Sequence, residues 1–174
     1  LTILLLTFLL HLLVLGEPFG RDQGIFAYIG DTLLRGGVPY RDAWDHKTPG
    51  VYAVYALAFV LFGRAMPSLH LLEGLVLTVT AFFVYQVGRR AHSDGVGLLG
   101  ALLYGVGATL LFEWWDRGQA EVYMGLTGTL AVYYLLLSYK RAAPSPSQGE
   151  GRGEGDATSH IGPHPDGERD HAAP

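Results

Sequence analysis

Apolar residues run almost unbroken through four stretches of the chain, 1–16, 69–88, 95–112 and 122–139, and polar residues collect between them. A helix rises about 1.5 Å per residue, so roughly 20 apolar residues are needed to cross the ~30 Å hydrocarbon layer of a bilayer. The three later stretches have that length. Residues 1–16 read as the end of a spanning helix whose beginning is missing or frayed. With no basic segment ahead of it and no small-x-small cleavage site before Glu17, this stretch does not read as a secretory signal. A further apolar run, 51–62, would make only about 18 Å of helix and predicts an interfacial or re-entrant piece. The pattern predicts an all-α, multi-pass transmembrane helical protein of about four spans.

The polar interval from 17 to 68 has its own periodicity. Ile25, Ile29 and Leu33 recur every four residues with Phe26 and Leu34 beside them, which predicts an amphipathic helix lying on the membrane. Gly36, Gly37 and Pro39 end it. Thr48 suits the cap and Pro49 the first position of a second short helix. The two are joined by "GVPYRDAWDHKTPGVY", Gly37–Tyr52, which holds an arginine, two aspartates, a histidine and a lysine within seven residues. Arg89 and Arg90 follow one span, and Lys140 and Arg141 follow the last. The positive-inside rule puts both pairs in the cytoplasm, so the loops 17–68 and 113–121 are expected on the extracytoplasmic face of a bacterial inner (plasma) membrane.

Charge divides the 174 residues into two parts. Residues 1–141 carry ten acidic and ten basic side chains, whereas 142–174 carry six acidic and two basic, so the net charge of -4 comes from the tail. Phosphate neutralisation needs clustered Lys and Arg, which excludes a nucleic-acid binder. The absence of cysteine excludes disulfides and thiolate chemistry. The chain also lacks asparagine and is rich in Gly, Ala and Leu, a composition that suits a GC-rich bacterial source. The tail, dominated by Pro, Gly, Ser and charge, has too little apolar surface to offset its ordering entropy, and disorder is expected there. The predicted organisation is a membrane domain, 1–141, followed by a low-complexity tail, 142–174.

Most single motifs have plain structural readings. "GVGLLG" at 95–100 matches a dinucleotide-binding string, but that fingerprint must follow a strand and open a helix, and here it lies in a predicted span. Gly97, Ala101 and Gly105 instead form a small-residue stripe for close helix contact. Glu73 lies inside a span, where an ionised carboxylate should face a cavity or a partner. His11 reads as a neutral packing residue. Asp22 suits a helix cap, Glu121 the positive end of a helix dipole, and Asp45, His46 and Lys47 a solvated turn. Convergence favours more: the predicted topology brings Asp22, Asp45, Lys47, Glu113, Asp116 and Glu121 to one face of the membrane.

The succession "RDQGIFAYIGDTLLRGGVPYRDAWDHKTPGVYAVYALAFVLFG", an apolar span ending "VYQVGRR", a glycine-rich span and "GQAEVYM" resembles the N-terminal part of the GT-C membrane glycosyltransferases. The similarity covers Gly16 to Arg141 and is to the aminoarabinose transferase and protein O-mannosyltransferase group. It implies transfer of a sugar from a polyprenyl-phosphate donor to a lipid, protein or glycan acceptor at the extracytoplasmic face. By resemblance Asp22 matches the essential acid in the first outer loop, a general base, and Glu121 matches the second acid. Lys47, in "WDHKTPG", matches the lysine that approaches the donor phosphate. Asp45 lies near the position where some members bind a divalent metal ion. Two departures bear on donor geometry and metal use: Gln23 replaces a second acid beside Asp22, and Thr48 replaces the first proline of Lys-Pro-Pro. Family members carry further spans, so the chain is expected to be an N-terminal fragment, inactive alone. The alternative is a non-catalytic membrane binding or scaffold subunit.

Overall fold

The computed structural model describes residues 1–111 and 113–142. The tail expected to be disordered, from residue 143 onward, lies outside the described residues, as do the side chains of Lys140 and Arg141. Among the described residues the chain is all-helical. Helix α1, Thr2–His11, continues as a single 3-10 turn over Leu12–Val14. Then come α2, Arg21–Leu34, α3, Pro49–Phe62, α4, Met66–Ala91, α5, Asp94–Leu111, and α6, Ala120–Ala142. Helices α4, α5 and α6 are long and apolar enough to cross a membrane, while the segments 2–14 and 49–62 are shorter apolar helices. Among the described residues full spanning length therefore belongs to the three later helices, and the first apolar stretch is shorter, as its length in the sequence predicts.

The small-residue stripe explains how α4 and α5 meet. Gly97, Ala101 and Gly105 are buried on α5, together with Ala108. A Cβ added at Gly97 would sit 2.6 Å from the Tyr85 carbonyl oxygen and 2.9 Å from the Arg89 nitrogen of α4, so the backbones approach as only glycine permits. The two helices are joined by His92 and Ser93 alone. Helix α1 lies against both. Its Thr7 occupies the space a side chain at Gly105 would need, and a Cβ at Gly74 would come within 2.7 Å of the His11 ring. "GVGLLG" lies within α5, as its apolar context predicts.

The apolar face of α2 meets protein rather than lipid. Phe26 and Ile29 are almost wholly buried against Val51, Tyr52, Tyr55 and Ala58 of α3 and Leu69 and Leu72 of α4. At Gly30 a Cβ would lie 3.0 Å from both Ala56 nitrogen and Tyr55 Cβ, and Phe26 and Tyr55 meet edge to face at 5.6 Å. The apolar stripe of α2 is thus covered by α3 and α4. A helix with one apolar stripe gains as much by covering a neighbouring helix as by entering the membrane interface. Helix α3 turns its remaining residues Leu57, Val60, Leu61 and Phe62 outward, and α6 does the same with Met124, Val132 and Leu135, as lipid-facing surfaces require.

Candidate functional site

The two polar loops converge at one end of the helices, around residues 113–121. Arg117 and Gly118 are buried within this otherwise exposed segment, so its backbone groups there need protein partners. Three side chains from α2, α3 and α4 supply such partners, and Arg117 ties the segment to its surroundings. Gln23, in the first turn of α2, donates its amide hydrogens to the carbonyls of Trp114, at 2.9 Å, and Arg117, at 2.5 Å, and its amide oxygen accepts from Gly20 N–H. The Tyr55 hydroxyl of α3 donates to the Gly118 carbonyl at 3.0 Å. Glu73 of α4 accepts from Gly118 N–H at 2.7 Å. Arg117, itself 4% exposed, donates to Glu17 at 2.5 Å and to the Thr109 carbonyl at 3.0 Å. Gly118 has φ 63° and a Cβ there would lie 2.7 Å from the Tyr55 hydroxyl, so glycine is required on both counts.

Across from this segment the 37–48 loop is folded by its own polar groups. Asp42 accepts from Val38 N–H at 2.8 Å and pairs with Arg41 at 2.7 Å. The Arg41 guanidinium, then the Val38 N–H, hold the Asp42 carboxyl down at about 2. The hydroxyls of Tyr40 and Tyr52 both donate to the Lys47 carbonyl, at 2.8 and 3.1 Å. Tyr52 lies 3.1 Å from Asp45, whose other oxygen is 3.1 Å from His46 Nδ1. Burial acts to raise the Asp45 carboxyl, but the neighbouring backbone N–H groups, Tyr52 and His46 outweigh it and the net shift is downward. With its backbone fixed in this way, Lys47 sends its ammonium to Glu121 at 3.1 Å.

Glu121, in the first turn of α6, lines an open cleft of about 890 Å³ together with Asp22, Trp114, Trp115, Asp116 and Gln119 at its mouth. Leu77, Tyr104, Val122 and Gly125 of three helices line its apolar depth. Asp22 is half exposed and paired with Arg21 at 3.3 Å. It lies in the first turn of α2 rather than at the cap, which is Gly20, and Gln23 supplies the capping contact in its place. Thr48 precedes α3 as expected, with Pro49 opening the helix, although the Thr48 hydroxyl makes no capping bond.

Asp22 and Glu121 thus share one cleft, and Lys47 joins it through Glu121. Asp45 faces Tyr52 and His46 instead. Among the described residues no group of three or more His, Cys, Asp or Glu side chains forms a metal-ligand set. Glu73 is buried between His11 and His70, in keeping with the partner its position demands. Gln23, Arg117 and Gly118 carry most of the loop geometry and had no sequence signal beyond the presence of polar residues next to spans. Compared with protein families, with curated proteins and with solved structures, the chain has no match.

Proposed function

We propose that this chain is the donor-side part of a GT-C type membrane glycosyltransferase, which moves a sugar from a polyprenyl-phosphate carrier to a lipid, protein or glycan hydroxyl at the extracytoplasmic face. In this reading the acceptor oxygen attacks the anomeric carbon while the bond from that carbon to the phosphate oxygen breaks. The bond pair leaves with polyprenyl phosphate and the configuration inverts. Asp22 takes the proton of the acceptor hydroxyl. Lys47 neutralises the charge that develops on the departing phosphate. Glu121 holds Lys47 in place before the donor arrives, and a phosphate, with more charge than one carboxylate, competes for the same ammonium.

The observation that supports the reading is the joining of Lys47 to a cleft that has carboxylates at its mouth and an apolar floor between helices. An amphiphile with a phosphate head and a hydrocarbon chain has that same division. The test is sugar transfer in membranes containing the intact parent protein, with a panel of polyprenyl-phosphate hexoses and pentoses, comparing wild type with Asp22→Asn. Losing a general base costs about 100-fold or more. Turnover retained in Asp22→Asn would sink the catalytic assignment.

A further inference from the structure

A second hollow, of about 360 Å³, shares no residue with the cleft. Phe19, Ala27, Phe59 and Met66 give it apolar walls, and Asp31 and Arg64 are its charged members. The Asp31 carboxylate, 21% exposed, meets two arginines, one at each oxygen: Arg35, a turn later in α2, at 2.5 Å, and Arg64 at 2.6 Å. The guanidiniums are 72% and 57% exposed, and among the described residues neither pairs with another acid. Two permanent positive charges therefore face one negative charge, and the group keeps a surplus of positive charge at its surface.

The chain places that surplus at the edge of the hydrocarbon. Arg64 lies between the outward-facing Val60, Leu61 and Phe62, which close α3, and Met66, 40% exposed, which opens the membrane-spanning α4. Gly63, at φ 90°, makes the turn between the two helices. One arginine is enough to tie this turn to Asp31 of α2. A second adds charge beside apolar surface, where an unmatched cation is costly and an anion lowers the cost. The first turn of α4 has no side-chain cap, and its positive dipole end acts in the same sense.

We propose that Arg35 and Arg64 bind the phosphodiester of an anionic phospholipid, with an acyl chain lying in the hollow and along the lipid-facing side of α3. Arg64 meets Asp31 through Nε, which leaves its two Nη groups to donate to phosphate oxygens. The surplus charge selects a lipid whose headgroup is negative overall, because the ammonium of a zwitterionic lipid would meet a positive site. Neither arginine belongs to the cleft, so the proposal does not depend on the transferase reading.

The test is native mass spectrometry of the full chain in detergent, titrated with phosphatidylglycerol and with phosphatidylcholine of the same acyl chains. Wild type should bind phosphatidylglycerol in preference. A basic side chain at a membrane surface contributes about fivefold to anionic lipid affinity, so Arg35→Gln or Arg64→Gln should lose about fivefold and the double substitution about 25-fold. Asp31→Asn removes the competing carboxylate and should tighten phosphatidylglycerol binding about fivefold, a gain that loss of a merely structural ion pair would not produce. Millimolar glycerol phosphate should fail to displace the lipid, and Lys47→Glu, in the cleft, should leave phosphatidylglycerol binding unchanged. Equal binding of the two lipids by wild type, unchanged affinity in the double variant, or weaker or unchanged binding in Asp31→Asn overturns the proposal. Displacement by glycerol phosphate overturns it in favour of a free phosphate, and a loss in Lys47→Glu as large as that of the double variant overturns it in favour of the cleft.

Discussion

Replacing Gln23 by Met removes three hydrogen bonds while nearly preserving side-chain length. The amide loses its bonds to the Trp114 and Arg117 carbonyls and to Gly20 N–H. Met is unbranched and flexible enough to fill the space, so no cavity term accompanies the change. At roughly 0.5–1.5 kcal/mol for each of the two bonds to its carbonyls, the 113–121 segment should lose about 1–3 kcal/mol of local stability. With every 1.4 kcal/mol worth tenfold, the amides of that segment should exchange about 5- to 140-fold faster with solvent deuterium. The assay is hydrogen exchange by mass spectrometry in nanodiscs, with peptides from α4 and α5 as the internal standard. Gln23→Glu adds a sharper contrast. A carboxylate cannot donate to either carbonyl, so at neutral pH it should be at least as damaging as Met, and acidification should restore one donor and part of the protection. Exchange in 113–121 unchanged by both substitutions would refute the claim that Gln23 holds the loop.

The packing account predicts opposite signs for two glycines of one helix. Gly97→Ala meets α4 backbone at 2.6 Å and should destabilise the α4 and α5 pair by about 1–3 kcal/mol, whereas Gly107→Ala has its nearest neighbour at 3.8 Å and should be neutral or slightly stabilising. Denaturation in mixed micelles, followed by helical circular dichroism, distinguishes them. The Asp42 turn should be resistant to acid. Its folded carboxyl value, about 2, lies below the ordinary value of 3.8, so its contribution is fully present above the ordinary value and is lost as pH falls through about 2. A carbon-13 titration of Asp42 should give a midpoint near 2, and one near 4 would contradict the pairing with Arg41 and Val38.

The helical architecture was legible because apolar run length and small-residue spacing act locally. Gly97, Ala101 and Gly105 announce a contact face without any knowledge of what lies opposite. The partner of the α2 face was not legible for the converse reason: an apolar stripe specifies that something covers it but not which helix does so. The site was legible only in part. Lys47 and Glu121 sit 74 residues apart, and their contact depends on how Tyr40, Tyr52, Gln23 and Glu73 fold two loops toward each other. None of those four side chains has a spacing rule, because each bonds to a backbone group that comes near only after the helices pack. Gln23 shows the limit most clearly. Read as a departure from an acidic pair, it is the amide that two carbonyls require, and a second acid there would repel both.

The most direct measurement is the affinity of the purified chain for a C55 polyprenyl phosphate in nanodiscs, by native mass spectrometry, in wild type and in Lys47→Glu. Lys47 and Glu121 form an ion pair that is largely exposed on the Glu121 side and contributes about 0–1 kcal/mol to stability, so the variant should remain folded. The account predicts that wild type binds the phosphate lipid in preference to the corresponding uncharged polyprenol. Lys47→Glu should lose at least tenfold in phosphate affinity and keep its weak binding of the alcohol. Equal affinity of wild type and Lys47→Glu for the phosphate, or no preference for phosphate over alcohol, would contradict it.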